Sequence, residues 1–486
     1  MSAVPLPEAS AEPEAAPPRL SLGQKLAFGS GAVAFGVRDI GFNSFLLIFY
    51  NQVLGVPAGL AGLALLISLL VDAVVDPLVG STSDNWRSRL GRRHPFMLAA
   101  ALPASMAFWL LWHPPAGLAS GSMFAWLLGF SILTRWSVSL FEVPFVAMAT
   151  ESTRDYDERT TLMTWLQAFG WWSGLTLAVL TYGVFLRPTP ADPTGMLNRE
   201  GFATFGTIAS FVLLAAILAP ALATRGLIPR LAAAPVARPG LAEMFRTYRR
   251  LLQNRSVQAL MLSVVFLVTS QGFGQGLYNY IQVYIWGLTS SQISLLALAP
   301  FISATLAFVF TPRLARGREK RTLAIGLGLI AVVGQPTPLM LRLAGLFPGP
   351  DSPWMLPLLT FHSAFESLVW VMFAILASSM MADLVEETQG ETGRPTEGSL
   401  FALRILADKA VSGFGVLLSG LVLEFVGFPV GAPAGTVQAA TISHLALTYA
   451  PLTVALGVSS ALCLLGYRVT RQGHVRNLTA ISPRGG

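Results

Sequence analysis

Leu69-Leu70-Val71-Asp72-Ala73-Val74-Val75-Asp76-Pro77-Leu78 places two acidic residues, four apart, inside an apolar run of helical length. The i,i+4 spacing stacks both carboxylates on one helix face, about 6 Å apart. The run continues on both sides of the pair. That favours membrane depth over a helix end with both carboxylates in headgroup water. An ionised carboxylate at that depth costs several kcal/mol unless it is compensated, and two of them repel. A bound cation or a shared proton removes both problems.

Composition agrees with that reading. The 486-residue chain is 53% hydrophobic and 12% charged, with a mean hydropathy of +0.61. Soluble domains carry about 25% charged residues. The chain therefore reads as all-α and polytopic, with the lipid bilayer as its main solvent. Its net charge of +7 would suggest nucleic acid in a soluble protein, but here the excess lies in alternate loops, so no nucleic-acid partner is expected. Cys463 is the sole cysteine and the five histidines are scattered. No disulfide, metal motif or catalytic constellation follows, so an enzyme is not expected. No phosphate-cradling Gly-Lys loop appears, which argues against an ATP-driven pump.

Twelve apolar windows run from 26–53 to 441–467, and several are long enough to tilt or to extend beyond the bilayer. Of the 32 Lys and Arg, 25 fall in the two tails and in loops 84–95, 151–160, 225–255, 313–321 and 383–397. The opposite side holds only Arg187, Arg199 and Arg342. Both termini are thus expected in the cytoplasm. Residues 1–25 read as a disordered cytoplasmic tail without the apolar core of a signal peptide. A six-helix bundle follows at 26–224, then a cytoplasmic linker at 225–255, a second bundle at 256–467 and a tail at 468–486. The basic loops 87–93 and 313–321 hold equivalent places in the two halves, as in a 6+6 internal repeat around a central cavity.

Four further spans carry polar or charged groups. Arg38 and Asp39 are adjacent in the first span, where neighbours diverge around the helix and need not pair. Glu142 precedes Pro144 in the fourth, with Arg135 two turns away as one possible partner. Lys409, with Arg404 five residues earlier, lies in the eleventh. It needs a carboxylate from another helix, and Asp72, Asp76 and Glu142 are the candidates. The seventh span carries Gln271, Gln275, Tyr278, Asn279 and Gln282 on one stripe. Such a stripe suits a hydroxyl-rich ligand, and it suits helix–helix contact equally well. Trp165, Trp171, Trp172 and Trp370 are candidates to stack on a sugar ring.

In order along the chain, these residues resemble the glycoside–pentoside–hexuronide:cation symporters of the major facilitator superfamily, melibiose-permease type. The most specific match is Asp72 to Gly80, continuing through Asp84 to Arg89-Leu90-Gly91-Arg92-Arg93-His94-Pro95-Phe96. Asp39, Glu142-Val143-Pro144-Phe145, Asp155-Tyr156-Asp157-Glu158-Arg159, Glu397 and Lys409 extend it. The resemblance implies twelve helices in two pseudo-symmetric six-helix bundles. It implies a cation site at Asp72, Asp76 and Glu142, with Lys409 beside it and Asp39 accepting from sugar hydroxyls. Three departures leave the sugar open: Glu142 replaces Asp, Val146 replaces a sugar-facing Trp, and Gln167 replaces a sugar-binding Arg. A lysophospholipid branch shares the span-two aspartates.

The expected function is cation-coupled symport of a sugar or glycoside by alternating access, in a bacterial-type inner membrane, by a monomer. No cofactor is expected beyond the coupling ion, Na+ or H+. A lysolipid substrate and a non-transporting sensor are the alternatives. Arg38, Asp39, Gln167, Gln271, Gln275, Tyr278, Asn279 and Trp370 are the substrate candidates. Lys409 and Arg404 are the coupling pair. Asp84, Arg89, Arg92, Arg93 and Arg159 are expected to form a cytoplasmic gate; its arginines, with Arg313–Arg321 in the equivalent place of the other half, pair with acids such as Asp155, Asp157, Asp383, Glu386 and Glu387 when the protein is open to the outside, and these pairs break when it opens inward.

Overall fold

The computed structural model describes residues 20–153, 155–190, 192–231, 241–392 and 397–467, and among these the regular structure is helical throughout. Among the described residues eleven helices are long and apolar enough to cross a membrane: α1 Leu22–Val53, α2 Ala58–Asn85, α3 His94–Trp112, α4 Ser120–Glu151, α5 Glu158–Phe185, α6 Arg199–Ala223, α7 Arg255–Ile285, α8 Ser290–Ala315, α9 Lys320–Leu343, α10 Met355–Val385 and α12 Ala439–Leu464. Between the last two lies α11, Glu397–Phe425. Its 29 residues are also sufficient to span, at 1.5 Å per residue. It carries Arg404, Asp408 and Lys409, which dilute its apolar pattern. Two groups of six helices result, as the internal repeat predicts.

Local chemistry sets the helix ends. Ser21 and Gln24 form a reciprocal capping box that starts α1 at Leu22, four residues before the expected boundary. Asp155 accepts from the Glu158 amide at the start of α5, Asn198 from Gly201 at α6, and Asn254 from Ser256 and Val257 at α7. Each supplies an acceptor for amides that have no partner inside their helix. The expected linker also contains a helix, Leu241–Leu251.

Two glycines let α11 approach its neighbours closely. A Cβ at Gly420 would lie 2.3 Å from the Ala58 carbonyl of α2, and one at Gly415 would lie 2.4 Å from the Thr269 carbonyl of α7. Helix α11 therefore lies against α2 of the other half and against α7 of its own. Small residues at such crossings are how helices gain close contact where lipid offers no hydrophobic drive.

The halves are also latched at the face opposite the basic loops. Tyr280 donates to Asn51 at 2.7 Å, Tyr182 to Asn279 at 2.8 Å and Gln52 to the Pro429 carbonyl at 3.1 Å. The Gly59 amide donates to Glu424 at 2.8 Å. Helices α1, α5 and α7 each widen into π-helical turns here, at Gly41–Phe45 and Phe49–Val53, at Thr181–Phe185 and at Ile281–Ile285. A π turn inserts one residue and re-aims the side chains after it. These turns bring Asn51, Gln52 and Tyr182 to their partners.

Substituting Gly420→Ala should lower thermal stability in detergent by about 1–3 kcal/mol, the usual cost of overpacking. Gly326→Ala, whose Cβ meets nothing within 4 Å, is the control and should be neutral. Equal melting temperatures for both variants would remove the close-packing role from Gly420.

Candidate functional site

Four helices converge on one group of charges. Lys409 of α11 reaches across to α2, its Nζ 3.1 Å from Asp72 Oδ2 and in contact with Asp76 Oδ2. From α4, Ser139 donates to Asp72 Oδ1 at 2.6 Å, and Arg135 approaches Asp72 Oδ2 at 3.8 Å. From α1, Arg38 pairs with Glu142 and, through Nε, with Asp39 at 3.0 Å. Asp72 is only 1% exposed. At such burial each ion needs its partners, because losing one leaves an uncompensated charge.

Several sequence expectations change in detail. Asp39 pairs with the adjacent Arg38, because the long guanidinium stem curls back to the next carboxylate. Glu142 meets Arg38 and not Arg135, which instead lies over the Phe42 ring at 4.4 Å. Arg404 does not join Lys409. It faces Asp408 one turn on, at 3.7 Å, because the five-residue step turns it away from Lys409. Nor do Asp72, Asp76 and Glu142 enclose a common centre: among the described residues no three Asp, Glu, His or Cys side chains could hold a metal ion together. Lys409 takes the space between the aspartates, and Arg38 holds Glu142.

Oxygen ligands are nevertheless abundant at this place. Asp76 Oδ1 is buried and receives no hydrogen bond. Pro77 cannot donate to the Ala73 carbonyl, nor Pro144 to that of Leu140, so each of these carbonyls lacks its usual donor four residues on. Hard oxygen donors of this kind suit a small cation.

At the basic face, Arg93 bridges Asp84 at 2.8 Å and Glu151 at 2.5 Å, while Arg92 holds Glu151 at 2.8 Å. In the other half, Lys320 holds Asp383 at 2.7 Å. In each half, a basic residue at or just before the start of the third helix thus clasps the end of the fourth. These pairs lie within a half, not between halves. Arg89 and Arg159 are exposed. Asp155 caps α5. The side chains of Asp157, Glu386 and Glu387 lie outside the described residues.

A cavity of about 480 Å³ opens between the halves, within the range of small-molecule sites. Gln271, Gln275, Tyr278, Gln282, Trp171 and Trp370 line it, as the polar and aromatic stripe suggests. Asn279 does not. It accepts from Tyr182 and donates to the Ser44 carbonyl, tying three helices together. Gln167 is exposed and outside the cavity wall. Asp39 and Arg38 belong to the charge cluster instead. A second cavity of about 410 Å³ holds Lys409 and Ser412 and shares Leu267, Gln271 and Trp370 with the first.

Sequence reading missed His362 and Glu366, which line the first cavity from α10, with Gln335 of α9 and Tyr449 of α12. The signal was present in His362-Ser363-Ala364-Phe365-Glu366, two ionisable residues one turn apart in an apolar helix.

Two bundles, buried ions between helices and a polar cavity define a membrane transporter, not an enzyme. The chain belongs to the family described as MFS/sugar transport protein, which it matches over residues 27–471, and the resemblance to glycoside–pentoside–hexuronide:cation symporters is borne out. It is 23% identical to the isoprimeverose transporter of Lactiplantibacillus pentosus over 88% of this chain and 85% of that protein. It is 30% identical to the sodium-dependent lysophosphatidylcholine symporter 1 of Xenopus tropicalis over 29% of this chain and 27% of that one. The fold is that of the Escherichia coli xylose transporter XylE in its inward-open form, with a TM-score of 0.64 at 14% identity over 94% of this chain and 98% of that chain.

Removing the ammonium should leave two facing carboxylates uncompensated. Lys409→Ala should therefore destabilise the detergent-solubilised protein by about 3–5 kcal/mol, and Asp76→Asn in the same chain should restore part of it. Independent, additive losses in a double-mutant cycle would mean that the two side chains do not interact.

Proposed function

We propose that this protein couples uptake of a sugar or glycoside to a monovalent cation, Na+ or H+, by alternating access in a cytoplasmic membrane, with both termini inside and as a monomer. The observation that carries the reading is Lys409 bridging Asp72 and Asp76 across the interface between halves. Four carboxylates, Asp39, Asp72, Asp76 and Glu142, face three cationic groups, Arg38, Arg135 and Lys409. Fully ionised, the cluster holds one excess negative charge, which one Na+ or one proton neutralises.

A cation drawn to Asp76 and its neighbouring oxygens competes with the Lys409 ammonium. Releasing Lys409 loosens α11 from α2 and so changes the relative free energy of the two arrangements of the halves. A ligand that binds two conformations unequally shifts their populations, and that shift couples ion to substrate. Gln271 and Trp370 line both cavities, so a substrate there touches the same walls that Lys409 faces.

The family description and the isoprimeverose relative support a sugar. The lysophosphatidylcholine symporter supports a lysolipid as the second reading, through its likeness to about a third of the chain.

Reconstituted vesicles decide between them. An inward sodium or proton gradient should drive accumulation of at least one sugar from a panel of glycosides and pentosides, and not of lysophosphatidylcholine. Asp72→Asn and Asp76→Asn should each abolish accumulation while retaining substrate binding. Glu142→Gln should weaken coupling, and Glu142→Asp should keep part of it. Wild-type accumulation by both Asn variants would remove the cation site from α2.

A further inference from the structure

Helix α10 presents His362, Glu366 and Trp370 at successive i,i+4 positions, and all three line the larger cavity. The side chain of Glu366 is 31% exposed, and its nearest ionic neighbour among the described residues is His362 Nδ1 at 3.9 Å. That distance is too long for a hydrogen bond. The other ring nitrogen, Nε2, lies 2.9 Å from the Gly334 carbonyl. A carbonyl only accepts, so Nε2 must carry the proton. A neutral His362 then offers Nδ1 to Glu366 as a second acceptor, not as a donor. Glu366 thus faces the cavity as a carboxylate for which the described residues supply no hydrogen bond.

A second acceptor in the same wall is also unmet. Gln282 is 8% exposed, and its Oε1 is buried without a partner. The cavity wall also carries the indoles of Trp171, Trp286 and Trp370. Flat aromatic faces beside unmet acceptors suit a ring that has C–H faces and outward hydroxyl donors. The charge sets a further condition. Lys409 and Arg404 line the adjoining cavity, and Lys409 is bound to the α2 aspartates. Among the described residues no Lys or Arg lines the cavity that holds Glu366, so an anionic ligand there would meet a carboxylate with no Lys or Arg beside it in the wall.

We infer that Glu366 is a substrate-facing selectivity residue that takes the hydroxyls of neutral sugars and glycosides, or the ammonium of an amino sugar, and rejects uronates. Within a family whose ligands include both neutral glycosides and hexuronides, this assigns the chain to the neutral or cationic class. The inference rests on the sugar reading of the preceding subsection. Rejection follows from geometry: a sugar carboxylate close to Glu366 puts two like charges in a poorly hydrated wall, where repulsion is weakly screened. A carboxylate that accepts from hydroxyl donors, by contrast, makes charge-assisted hydrogen bonds, among the stronger kinds.

The cavity tryptophans supply a direct readout. Full-length protein in detergent at pH 8 is titrated with methyl β-D-glucoside, isoprimeverose, D-glucosamine and methyl β-D-glucuronide, following tryptophan fluorescence. The wild type should bind a neutral sugar or the amino sugar and should bind the glucuronide at least about tenfold more weakly. Glu366→Gln should weaken the preferred ligand by about tenfold, the size expected for losing a charge-assisted hydrogen bond, and should narrow the gap to the glucuronide. Glu366→Asp, which keeps the charge, should keep the order of preference. An unchanged order of preference in Glu366→Gln, with the wild type still binding a neutral sugar, overturns this inference and leaves the sugar reading standing. Wild-type preference for the glucuronide does the same. Failure of the wild type to respond to any sugar, with a saturable response to lysophosphatidylcholine, overturns both.

Discussion

The ammonium of Lys409 between Asp72 and Asp76 is the interaction on which the arrangement of the two halves turns. It joins α11 of one half to α2 of the other at membrane depth, where neither partner can fall back on water. Its attraction is strong because the surroundings are apolar, and its loss is costly for the same reason.

That bond requires the backbones to be close. Gly420 and Gly415 let α11 press against α2 and α7 at carbonyl distance, which brings Lys409 within reach of Asp72. Pro77 and Pro144 each remove one backbone donor in the turns that carry Asp76 and Glu142. The far face contributes a separate set of ties through Asn51, Gln52, Tyr182, Asn279 and Tyr280. The π turns of α1, α5 and α7 shape that seam. At the basic face the pairs Arg93–Asp84–Glu151 and Lys320–Asp383 hold each half together internally.

Position divides the labour of the site. Charges of α1, α2, α4 and α11 gather in one cluster, while polar and aromatic groups of α7, α9, α10 and α12, with Trp171 of α5 across from them, line the cavity. Gln271 and Trp370 are common to both cavities. Lys409 lines the second cavity beside that shared wall.

Much of this was legible in the order of residues, because membrane insertion is governed by local chemistry. Apolar run length marks the spans, and the spacing of Asp72 and Asp76 puts both on one helix face whatever else the chain does. The Gln271, Gln275, Tyr278 stripe reached the cavity as its periodicity implied. The glycine and proline positions were readable as letters, but not which backbone each would let near. What tertiary structure alone decided were the partners. Local spacing cannot say that Glu142 meets Arg38 and not Arg135, that Asn279 serves the seam and not the cavity, or that Arg404 turns to Asp408. Long side chains choose partners by distances between helices far apart in sequence, and those distances exist only after the two halves close on each other. His362 and Glu366 make the same point from the other side. Their spacing was visible, but only the packing of α10 against α9 turns one ring nitrogen to a carbonyl and leaves the carboxylate facing open space.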